Sequence, residues 1–158
     1  MNWEKNKDHR QDAKTPRKDL SQEEESLAAS IVDAAVKVHS TLGPGLLERI
    51  YEICLIHEPT KRGHKVESQV AVPIYYDGIQ LEAGLRLDIV VDGLAILELK
   101  SVDHTLPVHE AQLITYLKLS GIRLGFLLNF NVALMKDGIT RRILQRKDGG
   151  IIANPGER

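Results

Sequence analysis

The chain has 158 residues, 42% hydrophobic and 27% charged, with a net charge of -1 at pH 7. That size fits one domain with its own core, and the balance excludes both a wholly disordered chain and a protein whose overall charge alone would bind nucleic acid. A single cysteine, Cys54, excludes an internal disulfide and any cluster built on several thiolates, and no apolar run approaches the roughly 20 residues of a membrane helix.

Residues 1–20 are polar and densely charged, which predicts a disordered leader. They lack the apolar segment of a secretory signal, so a cytoplasmic protein is expected. Order is expected from Ser21, because Ser21-Gln22-Glu23-Glu24 has the form of a capping box, in which hydroxyl and carboxylate each satisfy a free N–H at a helix start. Leu27, Ile31, Ala34, Ala35, Val38 and Leu42 then recur at helical spacing. Gly43-Pro44-Gly45 breaks that helix. A second is expected over residues 46–57, stopping before Pro59, with Gly63 finishing the turn.

From Val66 the period falls to two. One strand is expected from Val66 to Tyr76, a hairpin turn at Asp77-Gly78, a second strand from Ile79 to Val91, and a further turn at Asp92-Gly93 into "LAILELK". Pro107 opens a third helix, with Ala111, Leu113, Ile114 and Leu117 at apolar positions and Gly121 at its end. "LGFLLNF" predicts a buried strand, and "ALMKDGITRRIL" a small terminal hairpin or a strand with a frayed end. One domain over residues 21–146 is expected, followed by a flexible tail over 147–158, and the order of elements points to a mixed α/β layer structure.

Chemistry concentrates in "ILELK". Glu98 and Lys100 leave the same side of a strand, about 6.6 Å apart along it, while Leu97 and Leu99 face the core. An isolated pair of this kind is usually a surface ion pair. Asp88, in "LRLDIVV", changes that reading if the hairpin brings it across from Glu98. Facing residues in a regular antiparallel pair have a constant index sum; a two-residue turn at Asp92-Gly93 sets the two carboxylates on opposite faces, whereas one extra residue brings them together. The longer turn is the expectation.

Two converging carboxylates suit a hard divalent cation, Mg²⁺ or Mn²⁺, which takes oxygen ligands and retains waters. Asp88 and Glu98 would hold it, with the Leu99 carbonyl a further ligand source, and Lys100 would orient the attacking water and balance charge on a phosphate. The six histidines show no metal-ligand spacing, so zinc is not expected, and His109 reads as a capping or surface residue.

The D-(x)9-E-x-K pattern across a hairpin resembles the PD-(D/E)XK nuclease superfamily. "GLLERIY", Gly45 to Tyr51, resembles the signature of the GxxExxY proteins, and "ELKSVDHTLPVHEAQLITYLKLSG" and "LGFLLNFN" look like that family's later blocks. The resemblance covers about residues 25–145. It implies a restriction-endonuclease-like α/β core, a central mixed sheet flanked by helices in αβββαβ order. It also implies that Asp88, Glu98, Lys100, Glu48 and Gln112 form the catalytic set, that Glu48 joins Asp88 and Glu98 at the metal, and that Gln112, Tyr116 and Tyr51 border the substrate. Tyr51 reads as a packing residue with its hydroxyl toward the cleft. Gln112-x-x-x-Tyr116 is similar to the motif after the active-site lysine in RecB-like and Cas4-like nucleases, although one cysteine excludes the iron–sulfur cluster of Cas4-like relatives.

The function expected is a metal-dependent nuclease acting on nucleic acid, with DNA favoured over RNA. The alternative is a catalytically silent module of the same fold that binds nucleic acid or a protein. Candidate phosphate contacts are Lys61, Arg62, Arg86, Lys118, Arg123, Arg141 and Arg142. A homodimer or a protein partner fits a small core with no added recognition domain, and no membrane contact is expected.

Overall fold

The computed structural model describes residues 20–145. The leader and tail expectations fall, apart from Leu20, outside the described residues. Helix α1 spans Gln22–Leu42, α2 Glu48–Lys61, α3 Pro107–Ser120. The strands are β1 Val66–Val72, β2 Tyr75–Tyr76, β3 Ile79–Gln80, β4 Leu85–Val91, β5 Ala95–Lys100, β6 Leu124–Asn129 and β7 Ile139–Ile143.

The capping box forms as expected: Ser21 Oγ accepts the Glu24 N–H at 3.0 Å, and Glu24 accepts the Ser21 N–H at 3.5 Å. Helix α2 departs from expectation at both ends. It starts at Glu48 and runs through Pro59 to Lys61. Pro59 lies in the last turn, where one missing N–H interrupts little, and the carbonyls of Glu58, Pro59 and Thr60 accept from Arg62, Gly63 and His64. Pro59 is itself buried, so packing offsets the lost bond.

Five strands form one mixed sheet in the order β1-β4-β5-β6-β7, with only β5 and β6 parallel. Parallel neighbours need a crossover, and α3 supplies it. The two long strands expected on either side of Asp77-Gly78 are each split, so that β2 and β3 make a separate small hairpin; Pro73, which cannot donate to a ladder, stands at the break. The terminal segment is a 3₁₀ turn, Met135–Gly138, followed by β7 on the sheet edge.

Two apolar layers enclose the sheet. Helices α1 and α2 cover one face, where Ile31, Ala35, Val38, Tyr51 and Leu55 pack on Ile89, Leu97, Leu99 and Phe126. Helix α3 covers the other, with Leu113 and Leu117 on Val90, Ile96 and Leu127. Gly125 permits this close seat, since a Cβ there would stand 2.9 Å from a Leu113 methyl. The face carrying Glu98 is therefore covered, contrary to the open face expected for it.

Candidate metal centre

The turn between β4 and β5 decides whether the two acidic residues meet. Ile89 pairs with Leu97, Val90 with Ile96 and Val91 with Ala95, all with an index sum of 186, so residues 92–94 form a three-residue loop. Asp92 and Gly93 take positive φ of 53° and 64°, as a primed turn requires, and Leu94 is the added residue that makes the sum even. The same sum sets Asp88 opposite Glu98.

Regular pairing stops just before that position. The Leu99 N–H donates to Asp88 Oδ2 at 2.9 Å and the Asp88 N–H donates to Glu98 Oε1 at 3.2 Å, so side chains replace the ladder where the strands part. The turn is itself moored: Asp92 accepts the Lys65 N–H at 2.8 Å and shares a 2.7 Å hydrogen bond with His64 Nδ1, whose Nε2 lies 3.0 Å from Ser30 Oγ. Burial pushes the Asp92 carboxyl up, but the bonds from His64 and Lys65 outweigh it and hold it below its ordinary value.

Glu98 is 6% exposed, whereas Asp88 and Lys100 are half-buried. Burial, and then the neighbouring charge of Asp88, push the Glu98 carboxyl up to about 8, with Lys100 pulling the other way. Glu48, at the first turn of α2, is raised by burial and by Asp88 and is likewise opposed by Lys100. Tyr116 on α3 is raised by burial and by Glu98, against a hydrogen bond from Gln112. Asp88, Glu98 and Lys100 thus act on acidic and phenolic groups of both α2 and α3.

The segment "GLLERIY" has a visible physical basis. No side chain caps α2 at Leu47. Tyr51 supplies the restraint: its hydroxyl donates to the Gly43 carbonyl at 2.6 Å and accepts the Leu46 N–H at 3.1 Å, while its ring stacks on Phe130 at 4.5 Å. Gly45 takes φ 92° in the loop so held. Ser101 adds a bond to the Leu46 carbonyl at 2.7 Å, tying the end of β5 to the start of α2. Tyr51 is fully buried and its hydroxyl is consumed by the loop, so the expected approach of that hydroxyl to the cleft does not occur.

Gln112 is exposed, and its amide donates to the Tyr116 hydroxyl at 2.6 Å, so its link to the acidic pair runs through Tyr116. His109 accepts the Leu106 N–H at 3.0 Å and is a cap. Among the described residues no three His, Cys, Asp or Glu side chains converge as a metal group, so Glu48 does not close with Asp88 and Glu98 into a triad. Most of the basic candidates are already paired: Lys61 with Glu58, Arg62 with Asp33, Arg141 with Glu25, Arg142 with Glu110, and buried Arg123 with Glu24. Arg86 and Lys118 show no ion pair among the described residues.

Sequence reasoning missed Asn129, Ser101 and Gln69. Asn129 Oδ1 accepts the Val102 N–H and its amide donates to the Val102 carbonyl, fastening the chain just after Lys100. Its signal was available, since a lone polar residue interrupts "LGFLLNF" as Glu98 interrupts "ILELK". Gln69 donates to Glu52 at 3.1 Å, one turn beyond Glu48 on α2.

No helix among the described residues is long and apolar enough to cross a membrane. No curated protein and no solved structure matches the chain. The sequence does match the family model of the PD-(D/E)XK nuclease superfamily over residues 25–142, from the first turn of α1 to the last but one residue of β7, with every residue of the acidic site inside it. The chain belongs to the PD-(D/E)XK nuclease superfamily.

Proposed function

We propose that the protein is a divalent-metal-dependent nuclease that hydrolyses phosphodiester bonds, DNA by preference, and that it is of the GxxExxY type within the RecB-like and Cas4-like branch. The observation that carries this reading is the opposition of Asp88 and Glu98 across a three-residue turn, with Lys100 on the same strand.

The donor set fits the ion. Two carboxylates of like charge meet where burial and the Asp88 charge raise the Glu98 carboxyl, and a cation held there would offset both. With two protein carboxylates, waters complete the coordination, as Mg²⁺ prefers. A bound Mg²⁺ or Mn²⁺ supplies Lewis-acid stabilisation of charge at the phosphate and a nucleophile at neutral pH. Asp88 and Glu98 would hold the ion, with Glu48 beside them as an acid that would act through water. Lys100 faces the phosphate, orients the attacking water and offsets charge that grows as the P–O bond breaks. Gln112 and Tyr116 border the substrate from α3, and of the seven basic candidates Arg86 and Lys118, which show no ion pair among the described residues, are the ones to meet the backbone. The preference for DNA rests on the branch resemblance.

One observation favours a second reading, a silent nuclease-fold module that binds nucleic acid or a protein. Both carboxylates already accept main-chain N–H groups and most basic side chains are paired within the fold. Calorimetry with Mn²⁺ on the wild type and Asp88→Ala, followed by a cleavage panel of single-stranded, duplex and branched DNA and RNA, separates the two. The nuclease reading expects uptake that Asp88→Ala abolishes, and a wild type that takes up no Mn²⁺ and cuts nothing leaves the binding module.

A further inference from the structure

We infer that Gln69 is a positioning residue for the Asp88–Glu98 pair, an inference that rests on the metal-nuclease reading of that pair. In the β1–β4 ladder Ser68 faces Ile89 and Val70 faces Leu87, and the pair between them, Gln69 with Asp88, is the one that is missing. Gln69 takes φ 53° in mid-strand, a left-handed conformation that non-glycine residues hold only when their surroundings enforce it.

The enforcing contact comes from α2. Gln69 Nε2 donates to Glu52 Oε1 at 3.1 Å; Glu52 is 6% exposed and also accepts from Arg49 at 3.0 Å. The backbone turn has a consequence for both strands. Residues of one parity along a strand normally share a face, yet Val66 packs in the layer under α1 and α2 while Val70 and Val72 pack in the α3 layer. On β4, Ile89 and Val91 lie in the first layer and Leu85 and Leu87 in the second. The β1–β4 ribbon rolls over at Gln69 and Asp88.

That roll frees Asp88. A regular β1–β4 ladder would fix its orientation by simple alternation. At the roll its N–H is instead given to Glu98, its carboxylate takes the Leu99 N–H, and the side chain sits on the boundary between the layers where it meets Glu98 and the field of Glu48. A neutral amide performs this task without adding a fifth carboxyl group to Glu48, Glu52, Asp88 and Glu98. The sheet alone has no need of a strained residue here, since β1 is an edge strand that an ordinary residue would continue.

The test uses the full chain with Gln69→Ala, Gln69→Glu and the exchanged double variant Gln69→Glu/Glu52→Gln, in which the hydrogen bond re-forms with donor and acceptor swapped. Three quantities are read: amide exchange of Leu99, Mn²⁺ affinity by calorimetry, and kcat and KM on a cleaved oligonucleotide. Gln69→Ala and Gln69→Glu are expected to speed Leu99 exchange and to weaken Mn²⁺ about 10–100-fold, as loss of a residue that orients a ligand does, with kcat falling more than KM changes. The double variant is expected to recover most of both losses. Should Gln69→Ala fail to fold, Gln69→Gly keeps the left-handed backbone and removes only the amide, and faster Leu99 exchange is again expected. Leu99 exchange and Mn²⁺ affinity unchanged in a folded Gln69→Ala, or a double variant no better than Gln69→Glu, overturns the inference. A wild type that takes up no Mn²⁺ overturns the metal reading instead, and Leu99 exchange then decides the positioning claim without any metal.

Discussion

Asp88 and Glu98 hold each other's strand: the Asp88 N–H is bonded to Glu98 at 3.2 Å, and Asp88 is bonded to the Leu99 N–H at 2.9 Å. Two acids that repel are thus held beside each other by main-chain N–H groups of β4 and β5. The stress falls on the charge state of Glu98.

The folded protein binds the Glu98 proton more tightly than the unfolded chain does, because its carboxyl is raised from 4.5 to about 8. Stability from this group is complete below pH 4.5 and is lost as pH rises through about 8. Thermal melts without metal should therefore show Tm falling across that window in the wild type and staying flatter in Glu98→Gln, which keeps an oxygen for the Asp88 N–H. At pH 8.5 the variant should be the more stable by on the order of 1 kcal/mol, or about 2–4 °C in Tm. A Glu98→Gln protein that melts below the wild type at pH 8.5 would contradict the strain assigned to this carboxyl.

Cation binding should relieve the same strain. Mn²⁺ or Mg²⁺ at about 100 times its Kd should add about 2.7 kcal/mol, seen as a rise in Tm. The rise should be larger at pH 8 than at pH 6, because protons compete for the ligand oxygens. Asp88→Ala should remove it at both pH values; an equal rise in that variant would place the ion elsewhere.

Lys100 should separate binding from chemistry. Its charge opposes a cation and favours a phosphate, so Lys100→Met is expected to bind Mn²⁺ at least as well as the wild type. Cleavage should fall by about 10²-fold or more, shown in kcat from single-turnover assays. Retained cleavage with weakened metal binding would reverse its assigned role.

Tyr51→Phe keeps the ring on Phe130 and deletes the hydroxyl that holds Gly43 and Leu46. The half-buried Leu46 N–H loses its partner, which should cost about 1 kcal/mol in denaturant melts. Cleavage should drop with it, since Glu48 follows that loop by two residues, while Mn²⁺ affinity changes little. A variant as stable as the wild type would remove the loop-clamp account of the signature tyrosine.

The sequence made the acidic pair legible only as a conditional. Period two put Glu98 beside Lys100, but whether Asp88 faced them depended on Leu94, a residue that reads equally well as strand or as loop. The Asp92-Gly93 dipeptide marked the turn and did not count it. Helix caps were plainer, because Ser21 and Glu24 make local bonds that need no tertiary partner. Pro59 misled for the opposite reason: its cost is local, and the burial that outweighs it is not. Glu98 was expected on an open face because the period of two sends it away from Leu97 and Leu99, and alternation does not say what packs on the second side; Leu113 and Leu117 over Gly125 seat α3 there. Gln69 carried no signal, since a polar residue in an edge strand looks solvated whatever its φ.

The roll at Gln69 also bears on the protein's behaviour at high concentration. Strand β1 is an open border of the sheet, and a straight border of seven residues is a template onto which a second chain can add a strand. The left-handed turn divides it into Val66–Ser68 and Val70–Val72, and Pro73 closes the far end. An incoming strand meets two short stretches that face different ways. The bend that aims Asp88 thereby guards the margin of the sheet against intermolecular pairing.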